Sequence, residues 1–136
     1  MATLNRLDLR SILFLDAVAS GATALLLLAG AGVLDSLFDF STTFLRGVGA
    51  LLVPWVAMLL LVATRKVIPA GAVWGIVALN LLWVVGSVVL LLGDWVEPNA
   101  LGVAFVIVQA MAVALITACQ VECLARDGRD SGIARA

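Results

Sequence analysis

Residues 71–93 read GAVWGIVALNLLWVVGSVVLLLG, and no charged side chain falls within them. A helix rises about 1.5 Å per residue, so this stretch reaches across the hydrocarbon core of a bilayer, about 30 Å thick. Its apolar residues do not keep to one stripe. They run all the way round, as in a helix wetted by lipid. Three further runs share this character: 11–34, interrupted only by Asp16, then 44–64 and 100–122. The expected fold is therefore all-α, a bundle of four transmembrane helices in a single integral membrane domain over 1–136. Residues 126–136 are expected to form a frayed tail.

Composition agrees. Of 136 residues, 64% are hydrophobic and 12% charged; soluble domains run at about 45–50% and about 25%. So small a domain has too little interior to hide the excess. Histidine is absent, which removes the commonest general base and metal ligand. The net charge is −1, and no basic patch with interleaved aromatics points to nucleic acid. Cys119 and Cys123 are four apart on one helix face, which is not the redox spacing C-x-x-C. They read as small reduced hydrophobes. No cofactor and no metal site is expected.

The joints between the runs carry the charge. Arg6 and Arg10 precede the first run, Arg65 and Lys66 lie between the second and third, and Arg126, Arg129 and Arg135 follow the fourth. The opposite loops hold Asp35, Asp39, Asp94 and Glu97, with Arg46 the one base nearby. The positive-inside rule then places both termini and the middle loop in the cytoplasm of a bacterial inner membrane. Asp39, Ser41, Thr42 and Thr43 offer caps to the second helix, and Asn99 to the fourth. Pro69 suits a helix start. Gly93 is expected to close the third helix in a left-handed cap. The first run has the basic start of a signal peptide, but Asp16 and the run's length argue against one.

Leu4 and Leu7 suggest a short helix on the inner surface. Leu37, Phe38, Phe40 and Phe44 are expected to dip into the outer interface. Arg46, Trp74, Trp95 and Glu122 are placed at the two interfaces, where aromatic and charged anchors collect. The halves also resemble each other: Asp16 then Gly21 in the first run, Asn80 then Gly86 in the third. Two parallel helical hairpins related by an axis along the membrane normal would give this pattern.

Polar side chains inside lipid-spanning helices are costly and so informative. Asp16, Ser20 and Thr23 share one face of the first helix. Asn80, Trp83 and Ser87 share one face of the third. Gly102, Gln109 and Gln120 lie along one face of the fourth. The candidate intramembrane polar site is Asp16, Ser20, Thr23, Asn80, Ser87 and Gln109. Asp16 can hold a proton, pair with Asn80 or Gln109, or face water. Pro54 is expected to bend the second helix. Ala17 with Gly21, and Ala110 with Ala114 and Ala118, allow close helix approach.

The stretches Leu15–Gly21 (LDAVASG), Ala78–Trp83 (ALNLLW) and Asn99–Gly102 (NALG) with Gln109 make the chain resemble small, uncharacterised four-helix bacterial inner-membrane proteins. The resemblance implies a multi-pass location and no particular activity. An acidic residue in the first of four helices is also similar to small multidrug transporters. The strong basic bias and the lack of tyrosine depart from that pattern.

Three functions compete. The first is a non-enzymatic bundle, a self-assembling homo-oligomer or an accessory subunit of a larger membrane complex. The second is a small transporter or channel with a protonatable Asp16. The third is a membrane enzyme acting on lipid or quinone, for which Asp16 and the distant Glu122 are the candidate acids.

Overall fold

The computed structural model describes the backbone of residues 8–135 and the side chains of residues 8–129. The surface helix expected around Leu4 and Leu7 lies outside the described residues. Five helices follow in order: α1 (Leu9–Ala29), α2 (Ala31–Phe38), α3 (Thr42–Ala63), α4 (Ala70–Leu92) and α5 (Ala100–Arg135). Four of them, α1, α3, α4 and α5, are long and apolar enough to cross a membrane. The fold is an all-α four-helix bundle with one short extra helix.

That extra helix corrects the first run, read as one helix over 11–34. The chain breaks at Gly30, whose N–H still closes on the Leu26 carbonyl at 2.8 Å. An unbroken helix from Leu9 to Phe38 would be about 45 Å long, well beyond the hydrocarbon thickness. The break lets α2 fold back onto the end of the bundle opposite Arg10. Its buried residues Ala31, Leu34 and Phe38 follow helical spacing, so one face docks against α3 and α5. Phe38 stacks on Phe105 at 4.9 Å, and Phe40 on Phe44 at 5.3 Å. Phe38 and Phe40 are thus part of the core rather than dipping into the interface, whereas Leu37 stays exposed.

The helix ends have local causes. The Asp8 carboxylate accepts the Ser11 N–H at 2.8 Å and caps α1. Ser41 caps α3 by accepting the Phe44 N–H at 3.1 Å. Asn99 accepts the Gly102 N–H at 2.9 Å to start α5, and its amide donates to the Leu37 carbonyl at 2.6 Å. That side chain ties α5 to α2. Thr42 donates to Asp35 at 2.7 Å, tying α3 to α2. Gly93 ends α4 in extended backbone, φ −85 and ψ 162, not in the left-handed cap expected. Its lack of a side chain serves Trp95 instead: a Cβ there would lie 2.5 Å from the indole ring. The left-handed residue is Asp39, φ 57, after α2. Helix α5 also overrides its expected end near 122 and remains helical through Arg135, because no proline follows Pro98 to stop it.

Helix α1 packs most extensively on α3, and α4 on α5, so the two dominant contacts are the two hairpins. Helix α1 also meets α5, whereas α3 and α4, though consecutive, scarcely touch. Going round the bundle the order is α1, α3, α4, α5, alternating up and down, with α1 diagonal to α4. Two apolar layers fill the centre. One joins Ile12 and Leu13 to Leu59, Val73 and Ile76 at the end holding Arg10, Arg65 and Lys66. The other joins Ala24 and Leu27 to Phe38, Leu52 and Val106 at the opposite end. Arg10 seals the first end: its guanidinium donates to the carbonyls of Ala63, of Arg65 at 2.9 Å and of Lys66 at 3.4 Å. The Ala63 carbonyl is one that a helix C-terminus leaves unpaired, and those of Arg65 and Lys66 belong to the loop that follows.

Candidate functional site: a buried polar belt

Between the two apolar layers the spans turn their polar side chains inward. Asp16, Asn80 and Gln120 are 2%, 3% and 0% exposed, which places them among the best-buried residues of the chain. They come from α1, α4 and α5. Asn80 Nδ2 donates to Asp16 Oδ2 at 3.0 Å, and Gln120 Nε2 donates to the same oxygen at 2.8 Å. Asn80 Nδ2 also donates to Gln120 Oε1 at 3.3 Å, which closes a three-residue ring. Ser20 Oγ donates to the other carboxyl oxygen, Asp16 Oδ1, at 3.3 Å.

A second set lies on α4 and α5. Trp83 Nε1 donates to Gln109 Oε1 at 2.8 Å, Gln109 Nε2 donates to Ser87 Oγ at 3.1 Å, and Ser87 donates to the Trp83 carbonyl at 2.9 Å. Asn80 and Trp83 are one helical turn apart, so the two sets follow each other along α4. Among the described residues, no buried side-chain nitrogen or oxygen lacks a partner. This is how a helix bundle carries polar groups through hydrocarbon, where an unmatched one costs several kcal/mol.

The expected site is thus divided. Asp16, Ser20 and Asn80 come together. Gln109, read as an alternative partner for Asp16, instead joins Ser87 and Trp83. Thr23 joins neither set; its hydroxyl turns back to the Ala19 carbonyl at 2.9 Å. Gln120 is the residue the site reading left out. It lies about three turns, or about 16 Å, from Gln109 on the same face. Gln120 reads on the same face as Gln109, and its depth in the bundle, level with Asp16 two turns into α1, is what brings it to the carboxyl. Arg46 and Glu122 are exposed, as are Trp74 and Trp95 at 51% and 74%. None of these four belongs to the belt.

At the end of the bundle that carries Arg10 lies a cleft of about 320 Å³, lined by Asp8, Leu9, Arg10, Ile68, Cys123, Arg126 and Asp127. Arg126 donates to the Cys123 sulfur at 3.2 Å. Among the described residues no cluster of three or more His, Cys, Asp or Glu side chains is placed to hold a metal ion.

The chain matches no protein-family model, no curated protein and no solved structure. Its class therefore follows from its own surface. Val18, Leu25, Leu61, Leu82 and Leu115 are each more than three-fifths exposed, and such residues recur on all four long helices. A water-soluble monomer does not present apolar area on this scale. The protein is a multi-pass integral membrane protein, a four-helix bundle with its polar side chains folded inward.

Proposed function

We propose that this chain is a non-enzymatic membrane bundle that assembles with itself or as an accessory subunit of a larger membrane complex. One observation carries the reading. Among the described residues the buried polar side chains are matched within the chain, so the described interior keeps no donor or acceptor aimed at a substrate. Recognition then belongs to the lipid-facing surface, where Ala114 and Ala118 of α5 are exposed and allow close approach of another helix. Chemical crosslinking and native mass spectrometry in lipid are expected to find an oligomer or a stable partner. A strictly solitary monomer under both methods would end this reading.

The proposed setting is a bacterial inner membrane with both termini cytoplasmic. Its support is the collection of Arg10, Arg65, Lys66, Arg126 and Arg129 at one end of the bundle, with Asp35, Asp39, Asp94 and Glu97 at the other. Reporter fusions at the C-terminus and in the 93–99 loop are expected to score on opposite sides.

A transporter is the second reading, favoured by the neutral character of the groups that hydrogen-bond to Asp16 among the described residues: Ser20, Asn80 and Gln120. Reconstituted vesicles would then show a flux that Asp16→Asn changes. No flux of protons, small ions or amphiphiles counts decisively against it.

A further inference from the structure

We propose that the Asp16 carboxyl, caged by Ser20, Asn80 and Gln120, is a proton-binding site that exchanges with water through the cleft between the start of α1 and the far part of α5. The inference goes beyond assembly, and it does not require that a proton cross the membrane.

The first argument is the chemistry of the cage. Each of its three groups can both donate and accept a hydrogen bond. A carboxylate in this cage receives three donors, as the geometry stands. A carboxylic acid fits equally. Its O–H needs one acceptor, which the Ser20 hydroxyl beside Asp16 Oδ1 supplies by turning its own hydrogen away, with both amides left in place. Proton uptake is then a simple transfer from a hydrated proton to a carboxyl oxygen, with no other bond made or broken. A carboxylate kept permanently charged would call for a fixed cation, since an unpaired buried charge costs several kcal/mol. A permanently neutral link would need only asparagine.

The second argument is the lack of fixed charge around the cage. Helix α4 has no charged residue, α3 has none between Arg46 and Arg65, and α5 has none before Glu122. Glu122 is exposed. On α1, Arg10 is committed to the carbonyls closing α3. By register the nearest other titratable side chains are Cys119 and Cys123 of α5. A proton is thus the cation that Asp16 can take up without rearranging the helices.

The third argument is access. Cys123 lines the cleft, and Gln120 lies one turn deeper on the same helix, about 4.5 Å along its axis. Leu9 lines the cleft too, and Asp16 lies two turns above it. Between cleft and cage lies the apolar cluster that includes Ile12, Leu13, Val73 and Ile76, which water has to pass for the proton to exchange.

The test is infrared titration in lipid nanodiscs, with isotope-labelled aspartate, from about pH 4 to about pH 9. No flux is possible there, so the result stands apart from the transport reading. The expected result is a carboxylic acid band that follows pH in one step and is missing from Asp16→Asn. Should that variant fail to fold, Gln120→Leu and Ser20→Ala assign the band, since each is expected to displace its midpoint by about one pH unit, a tenfold change in proton affinity. Ile68→Trp, which narrows the cleft, is expected to slow protonation after a pH jump several-fold. A carboxyl that keeps one state across the range overturns the site. A midpoint indifferent to both cage variants does the same. An unchanged rate in Ile68→Trp overturns the cleft as the route.

Discussion

Asn80 donates to Asp16 at 3.0 Å across the diagonal of the bundle, between two helices whose backbones scarcely approach each other. A link of this kind sets the rotation of both helices at once. Asn80 must face the centre of the bundle from α4 while Asp16 does so from α1, and Gln120 joins them from α5. Asn80→Leu is predicted to leave the fold intact but to destabilise it by about 1–2 kcal/mol, within the range for a buried bond to a polar or charged partner. Reversible unfolding in mixed micelles measures this. A double-mutant cycle with Asp16→Asn should show coupling, since the two side chains share one network.

Gly49 and Gly47 stand on the same helix and should respond in opposite ways to alanine. A Cβ on Gly49 would lie 2.9 Å from Leu28 Cγ and 3.1 Å from Leu27 Cβ, whereas one on Gly47 meets nothing within 4 Å. Gly49→Ala is predicted to cost about 1–3 kcal/mol by overpacking the α1–α3 contact. Gly47→Ala is predicted to be neutral or to stabilise by up to about 1 kcal/mol. Thermal unfolding in detergent separates the two, and equal effects would contradict the packing.

Arg10 does more than mark the basic side. By donating to the carbonyls of Ala63, Arg65 and Lys66, it holds the end of α3 and the start of the next loop. Arg10→Met is predicted to loosen that loop. Hydrogen exchange should rise in residues 64–68, with a stability loss of about 1 kcal/mol. Arg10→Lys should restore the effect only in part, because an ammonium cannot reproduce the planar fork.

Asp8 supplies a pH dependence that can be signed. The hydrogen bonds from Ser11 hold its carboxyl below the ordinary value of 3.8. A carboxyl lowered in the folded state stabilises that state above its unfolded pKa, and the stabilisation is lost as pH falls through the folded one. The first turn of α1 is therefore predicted to loosen at pH values below about 4 and to be insensitive to pH near neutrality. Asp8→Ala should cost about 1 kcal/mol at pH 7, as for other N-caps, and should remove the acid dependence. Amide exchange at Ser11 and Ile12 reads both effects.

Much of the fold was legible because its causes are local. A run of apolar residues about 20 long has one stable arrangement in lipid, and 70–92 announces it without reference to any other part of the chain. Arg65 and Lys66 at one end, and Asp94 and Glu97 at the other, follow from the same reading. Gly30 was harder, because the residues on both sides of it are equally apolar. What breaks the helix there is the docking of Ala31, Leu34 and Phe38 onto distant parts of α3 and α5.

The sequence alone determined that four helices cross the bilayer and that Asp16 is an anomaly within the first. Only the tertiary structure decided the company Asp16 keeps. Its partners are Asn80 and Gln120, while Gln109 on the same face of α5 serves Trp83 and Ser87 instead. The reason is axial register. Two glutamines about 16 Å apart along one helix share a face in any sequence pattern, but the depth at which α5 packs against α1 and α4 brings only one of them level with the carboxylate.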